Sequence, residues 1–119
     1  MLRDDPLHIR LLNLLAAIRD LSPFSVMTAE EDELLRDLIV RWHAEEGISV
    51  SEIMRSLAGI SQATAFRRVI ALRDKGMITL RVDMRDKRVK FVEPTQLAKE
   101  YAKQLDQALK KLSDSGSPA

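Results

Sequence analysis

Apolar side chains recur at helical spacing in the first part of this sequence and predict two helices. The first, Pro6 to Leu21, carries apolar residues on nearly all of its sides. The second is predicted to begin after Thr28, which forms a capping-box sequence with Glu31, and to end near Glu46 because Gly47 follows. A helix that is apolar all round must be covered all round, so a second subunit is expected against the first helix.

Two further helices are predicted in the middle of the chain, joined by a short turn. Ser49 and Glu52 form a second capping box for a helix that is predicted to stop near Leu57. The turn Ala58-Gly59-Ile60 then leads to a helix over Ser61 to Asp74, with the Ser61 hydroxyl as its cap. Two helices joined by a short turn that contains glycine are typical of a helix-turn-helix.

A β-hairpin and a last helix complete the predicted elements. The segments Met77–Val82 and Val89–Val92 are rich in β-branched residues, and the polar segment Asp83–Arg88 between them predicts an extended charged tip. Thr95 then caps a predicted helix over Gln96–Leu112, which carries one apolar stripe. The expected fold class is therefore mainly α with a small β-hairpin.

The charge of the chain is unevenly distributed. From Ser61 to Lys90 there are nine basic residues and three acidic ones, a net charge of +6, although the whole chain carries only +1. The remaining residues are therefore net acidic. A positive segment on an acidic body suits a phosphate backbone, and a solvated basic surface is the alternative interpretation.

The predicted helix from Ser61 to Asp74 has two different faces at 100° per residue. One side gathers apolar residues that are predicted to pack inward: Ala65, Phe66, Val69, Ile70 and Leu72. The other side gathers small, polar and basic residues: Thr64, Arg67, Arg68 and Ala71, with Ser61 at its edge. Gln62 points nearer the core side but, in the first turn, can still reach bases. Such a helix can read base edges in the major groove.

The hairpin tip adds a second basic surface. Arg85, Lys87 and Arg88 are predicted to contact the phosphate backbone or to enter a narrow minor groove. Asp86 lies two residues before Arg88 and is close enough to hold its guanidinium in place. A merely solubilising turn is the alternative interpretation of this tip.

The stretch Ile48 to Leu97 resembles the MarR family of bacterial transcriptional regulators. The matching features lie in the helix-turn-helix, the hairpin tip and the start of the last helix. They are Ser51-Glu52, Gly59-Ile60-Ser61, Thr64, Arg67, Leu72, Lys75-Gly76, Ile78, Asp83, Asp86, Arg88 and Thr95. Two departures are Phe66, where a small hydroxyl residue is common in the family, and Ala98, where the family often has glycine.

The resemblance implies a winged helix-turn-helix, with the hairpin as the wing, whose first and last helices form a dimerisation region. The expected organisation is one domain over residues 1–119, with a winged helix-turn-helix core over 22–94, dimerisation helices over 6–21 and 95–112, and a flexible tail over 113–119. The resemblance also implies a symmetric homodimer on a pseudo-palindromic DNA site.

Other candidate chemistry is sparse. Trp42 and Phe24 are candidates for lining the pocket of a small aromatic effector, as in many relatives, and core packing is the other interpretation of both. His8 and His43 lack ligand-like spacing, so no metal site is predicted. Without cysteine, a Gly-rich phosphate loop or a nucleophile motif, the sequence predicts neither a cofactor nor an enzyme. It also shows no secretory signal and no apolar run of roughly 20 residues, so a cytoplasmic protein is expected.

Two functions follow from these observations. The first is a homodimeric transcriptional regulator that binds double-stranded DNA. Its predicted contacts are Ser61, Gln62, Thr64, Arg67 and Arg68 in the major groove and Arg85, Lys87 and Arg88 at the wing, with Asp86 holding Arg88. The second is a winged-helix module that binds protein and not DNA. The basic face of the helix favours the first, because such modules usually lack one.

Overall fold

A computed structural model describes residues 5–21, 23–57 and 59–115, without the side chains of residues 114 and 115. The chain forms two compact units. Unit 1 comprises the chain up to Val26 and from Glu100 onwards, and unit 2 comprises Met27–Lys99. The predicted turn residue Ala58 and the end of the predicted tail, 116–119, lie outside the described residues.

Three helical segments contribute to unit 1: α1 (Leu7–Arg19), a short 3-10 helix (Phe24–Val26) and the larger part of α5 (Gln96–Ser115). α1 begins one residue later than predicted because Pro6 has an extended conformation (φ −57°, ψ 150°) and is the N-cap. α1 also ends two residues earlier than predicted. α5 also extends three residues beyond its predicted end at Leu112, to Ser115. From Gln96 to Ser115 the sequence contains neither glycine nor proline, the residues that disfavour a helix most.

The core of unit 1 is small and partly aromatic. Ile18, Phe24 and Tyr101 are each at most 5% exposed. The rings of Phe24 and Tyr101 meet edge to face, with centroids 5.0 Å apart and an interplanar angle of 88°, a favoured aromatic geometry. Of the two interpretations of Phe24, the structure supports core packing.

Unit 2 contains α2 (Ala29–Ala44), α3 (Val50–Ser56), α4 (Gln62–Asp74), β1 (Ile78–Val82), β2 (Lys90–Pro94) and the first residues of α5. The capping box predicted for α2 is present. The backbone N–H of Glu31 donates to Thr28 Oγ1 over 3.2 Å, and the N–H of Thr28 donates to Glu31 Oε1 over 3.0 Å. α2 ends two residues earlier than predicted, because Glu45 leaves the helix in an extended conformation (φ −147°, ψ 159°).

The second predicted capping box, at the start of α3, is only half formed. Ser49 Oγ accepts a hydrogen bond from the N–H of Glu52 over 3.2 Å. The Glu52 carboxylate lies 3.9 Å from the guanidinium of Arg41 on α2, so it serves to join the two helices. Ile48 before the cap and Ile53 within the helix occupy the two positions of a hydrophobic staple, and both are fully buried.

β1 and β2 form a two-stranded antiparallel hairpin in which Ile78 pairs with Pro94 and Val82 with Lys90. The hairpin is joined to the helix-turn-helix by the N–H of Val92, which donates to the carbonyl of Ile48 over 2.8 Å. This hydrogen bond joins β2 to the residue before the N-cap of α3, and it therefore places the hairpin beside the helix-turn-helix within unit 2.

The core of unit 2 draws on every one of its elements. Its fully buried side chains are Leu35, Leu38, Ile48, Ile53, Val69, Leu72, Met77, Ile78 and Val92. These residues come from both helices of the helix-turn-helix and from the inward positions of the hairpin. None of the helices in the described ranges is long and apolar enough to cross a membrane.

Candidate nucleic-acid interface

The first turn of α4 is organised by two hydroxyl groups. Ser61 caps the helix as predicted, with its Oγ accepting from the N–H of Thr64 over 3.1 Å. The Ser61 hydroxyl also donates to Thr64 Oγ1 over 2.9 Å, and Arg67 donates to the same Thr64 oxygen over 3.3 Å. Three of the predicted DNA contacts are thus linked by hydrogen bonds at the N-terminal end of α4.

The C-terminal end of α4 is closed by Gly76, which has a φ of +81°. The N–H of Gly76 donates to the carbonyl of Arg73, and the N–H of Met77 donates to that of Leu72. This pair of bonds is a Schellman motif, which glycine forms without strain because it has no Cβ. The helix therefore ends where the sequence predicted, directly before β1.

A partly buried ion pair joins the end of α4 to the start of α2. Lys75 Nζ donates to Glu31 Oε1, the oxygen that also accepts from the N–H of Thr28. Burial by itself raises the pKa of Glu31, but the hydrogen bonds from Lys75 and Thr28 outweigh it and hold this pKa below its ordinary value. The carboxylate thus stays charged and fixes α4 against α2.

The burial of α4 confirms most of the predicted inward face. Ala65, Val69 and Leu72 are at most 1% exposed, and Ile70 is half-buried. Phe66 is the exception: it is 42% exposed, so the prediction that it packs inward is wrong. It lies about 100° round the helix from Ala65, at the edge of the buried face, where the neighbouring elements leave it partly uncovered.

The polar residues of α4 differ in their surroundings. Gln62 is exposed in the first turn of α4, which agrees with the prediction that it can reach bases from there. Arg67 is exposed as well, whereas Arg68 is half-buried. Arg68 lines a cleft of about 480 Å³ together with acidic residues of α2, among them Glu30 and Glu33. The two adjacent arginines therefore face different electrostatic environments, and Arg67 is the one more open to an anionic partner.

Two aspartates shape the tip of the wing. Asp83 Oδ1 accepts from the N–H of Arg85, and Asp86 Oδ1 accepts from the N–H of Arg88, each over 3.1 Å. A side-chain oxygen bonded to the N–H two residues later is an Asx turn, which competes with regular strand structure. The N–H of Val89 also donates to the carbonyl of Asp86 over 2.9 Å. The tip is thus a defined turn with three basic side chains on it.

The predicted pairing of Asp86 with Arg88 is confirmed. Arg88 Nε lies 3.0 Å from Asp86 Oδ1, and a terminal guanidinium nitrogen lies 3.1 Å from Oδ2, a bidentate geometry. The hydrogen bonds from Arg88 lower the pKa of Asp86 and raise that of Arg88, so both groups stay charged. The Arg88 side chain is nevertheless 90% exposed. It is held in one direction while remaining open to a partner.

The base of the wing contains contacts that the sequence did not reveal. Arg81 lies over the ring of Phe91, 4.9 Å from its centroid, and its Nε is 2.9 Å from Glu93 Oε2. The indole N–H of Trp42 donates to the carbonyl of Val92 over 3.0 Å. Trp42 therefore joins α2 to β2, and it also lines an open cleft of about 540 Å³ with Phe91. No local signal marks these contacts, because they join residues far apart in the chain.

The two histidines lie on different helices of the described chain. His8 and His43 are both exposed, on α1 and α2. Within residues 5–21, 23–57 and 59–115, no group of three or more histidine, cysteine, aspartate or glutamate residues could hold a metal ion.

Helix α3, the turn, α4 and the hairpin together form a winged helix-turn-helix, which is a class of fold with many functions. No protein-family model matches the chain, and no curated protein matches it either. Solved structures do match, and six of them are MarR-family regulators.

Three of these structures illustrate the similarity. The heme sensor protein PefR from Streptococcus agalactiae, in complex with heme, is 26% identical over 92% of this chain and 76% of its own, with a TM-score of 0.58. MarR is 21% identical over 92% of this chain and 79% of its own, with a TM-score of 0.57. Bordetella bronchiseptica BpsR, whose DNA binding is regulated by 6-hydroxynicotinic acid, is 18% identical over 92% and 75%, with a TM-score of 0.53. This chain therefore has the fold of a MarR-like winged-helix regulator.

Proposed function

We propose that this chain is a transcriptional regulator that binds double-stranded DNA as a homodimer. The observation that carries the proposal is the combination, within one compact unit, of an exposed basic α4 and a wing whose Arg88 is held by Asp86. The same segment, residues 61–90, holds the net charge of +6. The MarR-like fold supports a regulatory and not a catalytic function, acting on DNA in the bacterial cytoplasm.

The proposed contacts divide into two groups. Residues of α4 and its cap enter the major groove, where their polar groups reach base edges and phosphates. This group comprises Ser61, Gln62, Thr64, Arg67 and Arg68. Residues of the wing contact the backbone or enter the minor groove. This group comprises Arg85, Lys87 and Arg88, with Asp86 fixing the direction of Arg88.

Exposed apolar residues on unit 1 support the homodimer. Leu7 and Leu12 of α1 are each 59% exposed, and Leu109 of α5 is 51% exposed. Exposed apolar patches on a small domain are typical of interaction sites, and a second copy of the same surface is the partner that the MarR-like fold favours. A two-fold dimer would read a pseudo-palindromic site with half-sites roughly 34 Å apart.

The proposal includes a small aromatic effector, in line with the heme bound to PefR and the 6-hydroxynicotinic acid that regulates BpsR. In this chain Trp42 is the candidate contact, since it lines the cleft at the base of the wing. Addition of such an aromatic acid to a protein–DNA complex, followed by measurement of DNA affinity, tests this part separately.

DNA binding itself is tested by titrating labelled genomic fragments at several salt concentrations. A protein that neutralises phosphates shows a logarithm of the binding constant that falls linearly with the logarithm of salt concentration. Absence of binding at low salt, or a flat salt dependence, would refute the proposal. The charge reversal of both Arg67 and Arg68 to Glu serves as a second test: abolished DNA binding supports it, and unchanged binding to a protein partner would favour a protein-interaction module.

The wing is tested with Arg88→Ala against a matched control. Each lost phosphate contact reduces the slope of the salt dependence by about 0.9, so loss of one contact in each half of the dimer reduces it by about 1.8. Lys110→Ala is the control, because Lys110 is 73% exposed and pairs with Asp106 over 3.1 Å, much as Arg88 pairs with Asp86. Equal affinity and equal slope for both variants would show that Arg88 makes no contact with DNA.

A further inference from the structure

Phe66 is an exposed aromatic side chain on the helix proposed to enter the major groove. It is 42% exposed, and among the exposed large apolar side chains of the described residues it is the one aromatic ring. Phe66 thus lies at the border between the buried face of α4 and its exposed side, where an aromatic ring partly in water is open to contact with a partner.

The position of Phe66 indicates what this partner presents. Phe66 lies in the N-terminal half of α4, directly before the exposed Arg67 and one turn after the exposed Gln62. This part of a recognition helix comes nearest to the base edges. In the major groove the apolar group on a base edge is the C5-methyl group of thymine, whereas the other groups there are hydrogen-bond donors and acceptors.

We propose that Phe66 contacts the C5-methyl group of a thymine in each half-site and thereby determines sequence preference. This inference rests on the DNA-binding function proposed above. Gln62 supports it, because residues four apart on a helix have Cβ atoms about 5–6 Å apart and a glutamine amide pairs with adenine N6 and N7. The two side chains together would read adenine and thymine on neighbouring steps of the duplex.

The experiment compares thymine with uracil, which differ in duplex DNA only by this methyl group. Sites are first selected from a random DNA pool with the wild-type protein, and each thymine of the selected site is then replaced by uracil in synthetic duplexes. Removal of one contacted methyl is expected to weaken binding about fourfold, the equivalent of one buried methylene-sized group. Replacement in both half-sites weakens it about 15-fold, since independent contributions add in free energy.

The Phe66→Ala variant should bind the thymine and uracil duplexes equally. Phe66→Leu, which keeps an apolar side chain, should retain part of the preference for thymine. Val40→Ala is the matched control, because Val40 is an apolar residue of α2 that is 68% exposed, and this variant should keep the full fourfold difference. Circular dichroism and thermal melting of each variant verify that the fold is retained.

Each outcome bears on one proposal. If the wild-type protein binds its selected site with the expected salt dependence but tolerates uracil at every position, the thymine contact is refuted while DNA binding stands. If Phe66→Ala weakens binding to both duplexes equally and leaves the fourfold difference intact, Phe66 acts elsewhere, for example in a protein contact, and the inference also fails. If no DNA is bound at low salt, the proposed function itself fails.

Discussion

Replacement of Asp86 by alanine provides a test in which charge and geometry predict opposite results. Asp86→Ala removes a negative charge from the tip of the wing, so a purely electrostatic view predicts tighter binding to DNA. The structure predicts weaker binding, because Asp86 accepts two hydrogen bonds from the guanidinium of Arg88 and one from its backbone N–H. Without them the Arg88 side chain, which is 90% exposed, has to be ordered at the moment of binding.

The size of this effect follows from the cost of ordering one side chain. Immobilising a long, rotamer-rich side chain at an interface corresponds to about a 2- to 12-fold loss of affinity. In a dimer each of the two half-sites loses this affinity, and the two losses add in free energy. The salt dependence should change little, because Arg88 keeps its charge and still neutralises phosphate once bound.

The assay is a fluorescence-anisotropy titration of a selected duplex with wild-type protein, Asp86→Ala and a control, each at three salt concentrations. Asp106→Ala is a suitable control because Asp106 is 65% exposed and pairs with Lys110 on α5, so the variant changes the net charge equally. Affinity of Asp86→Ala that equals or exceeds the wild-type value would refute the argument that Asp86 positions Arg88.

Two further predictions concern stability and assembly. Because the folded-state pKa of Glu31 lies below its ordinary value of 4.5, its contribution to stability is present above pH 4.5 and is lost as the pH falls through the lowered value. Glu31→Gln should lower the melting temperature at pH 7 by about 4 °C, which corresponds to roughly 1 kcal/mol, and should reduce the loss of stability at acid pH. The exposed Glu33→Gln should do neither. An unchanged loss of stability at acid pH in Glu31→Gln would contradict the role of Glu31. Leu12→Glu should convert the proposed dimer to monomer in sedimentation experiments, and a wild-type protein that is monomeric at high concentration would refute the dimer.

Much of the local structure could be predicted because its causes are local. The Thr28 capping box, the Ser61 cap and the end of α4 at Gly76 each depend on residues within one or two turns of the chain. The pairing of Asp86 with Arg88 likewise follows from a spacing of two residues. In each case the residue type restricts the backbone or supplies the hydrogen bond directly, so the feature does not depend on distant parts of the chain.

Helix ends were predicted less well where such a signal is absent or lies beyond the capping position, as Gly47 does for α2. α5 was predicted to end at Leu112, yet it continues to Ser115. α2 was predicted to reach Glu46, but Glu45 already has an extended backbone. An end that lacks a capping residue at the position itself depends on small differences in backbone free energy, which sequence patterns resolve poorly.

The sequence by itself determined the order of the elements, the basic segment and the residue types along α4 and the wing. The tertiary structure decided how each of them is presented. It left Phe66 partly uncovered, placed Arg68 beside the carboxylates of α2 and joined Trp42 to β2. The physical reason is that exposure and electrostatic environment depend on which distant elements pack against a residue, whereas helical periodicity states only the direction in which it points.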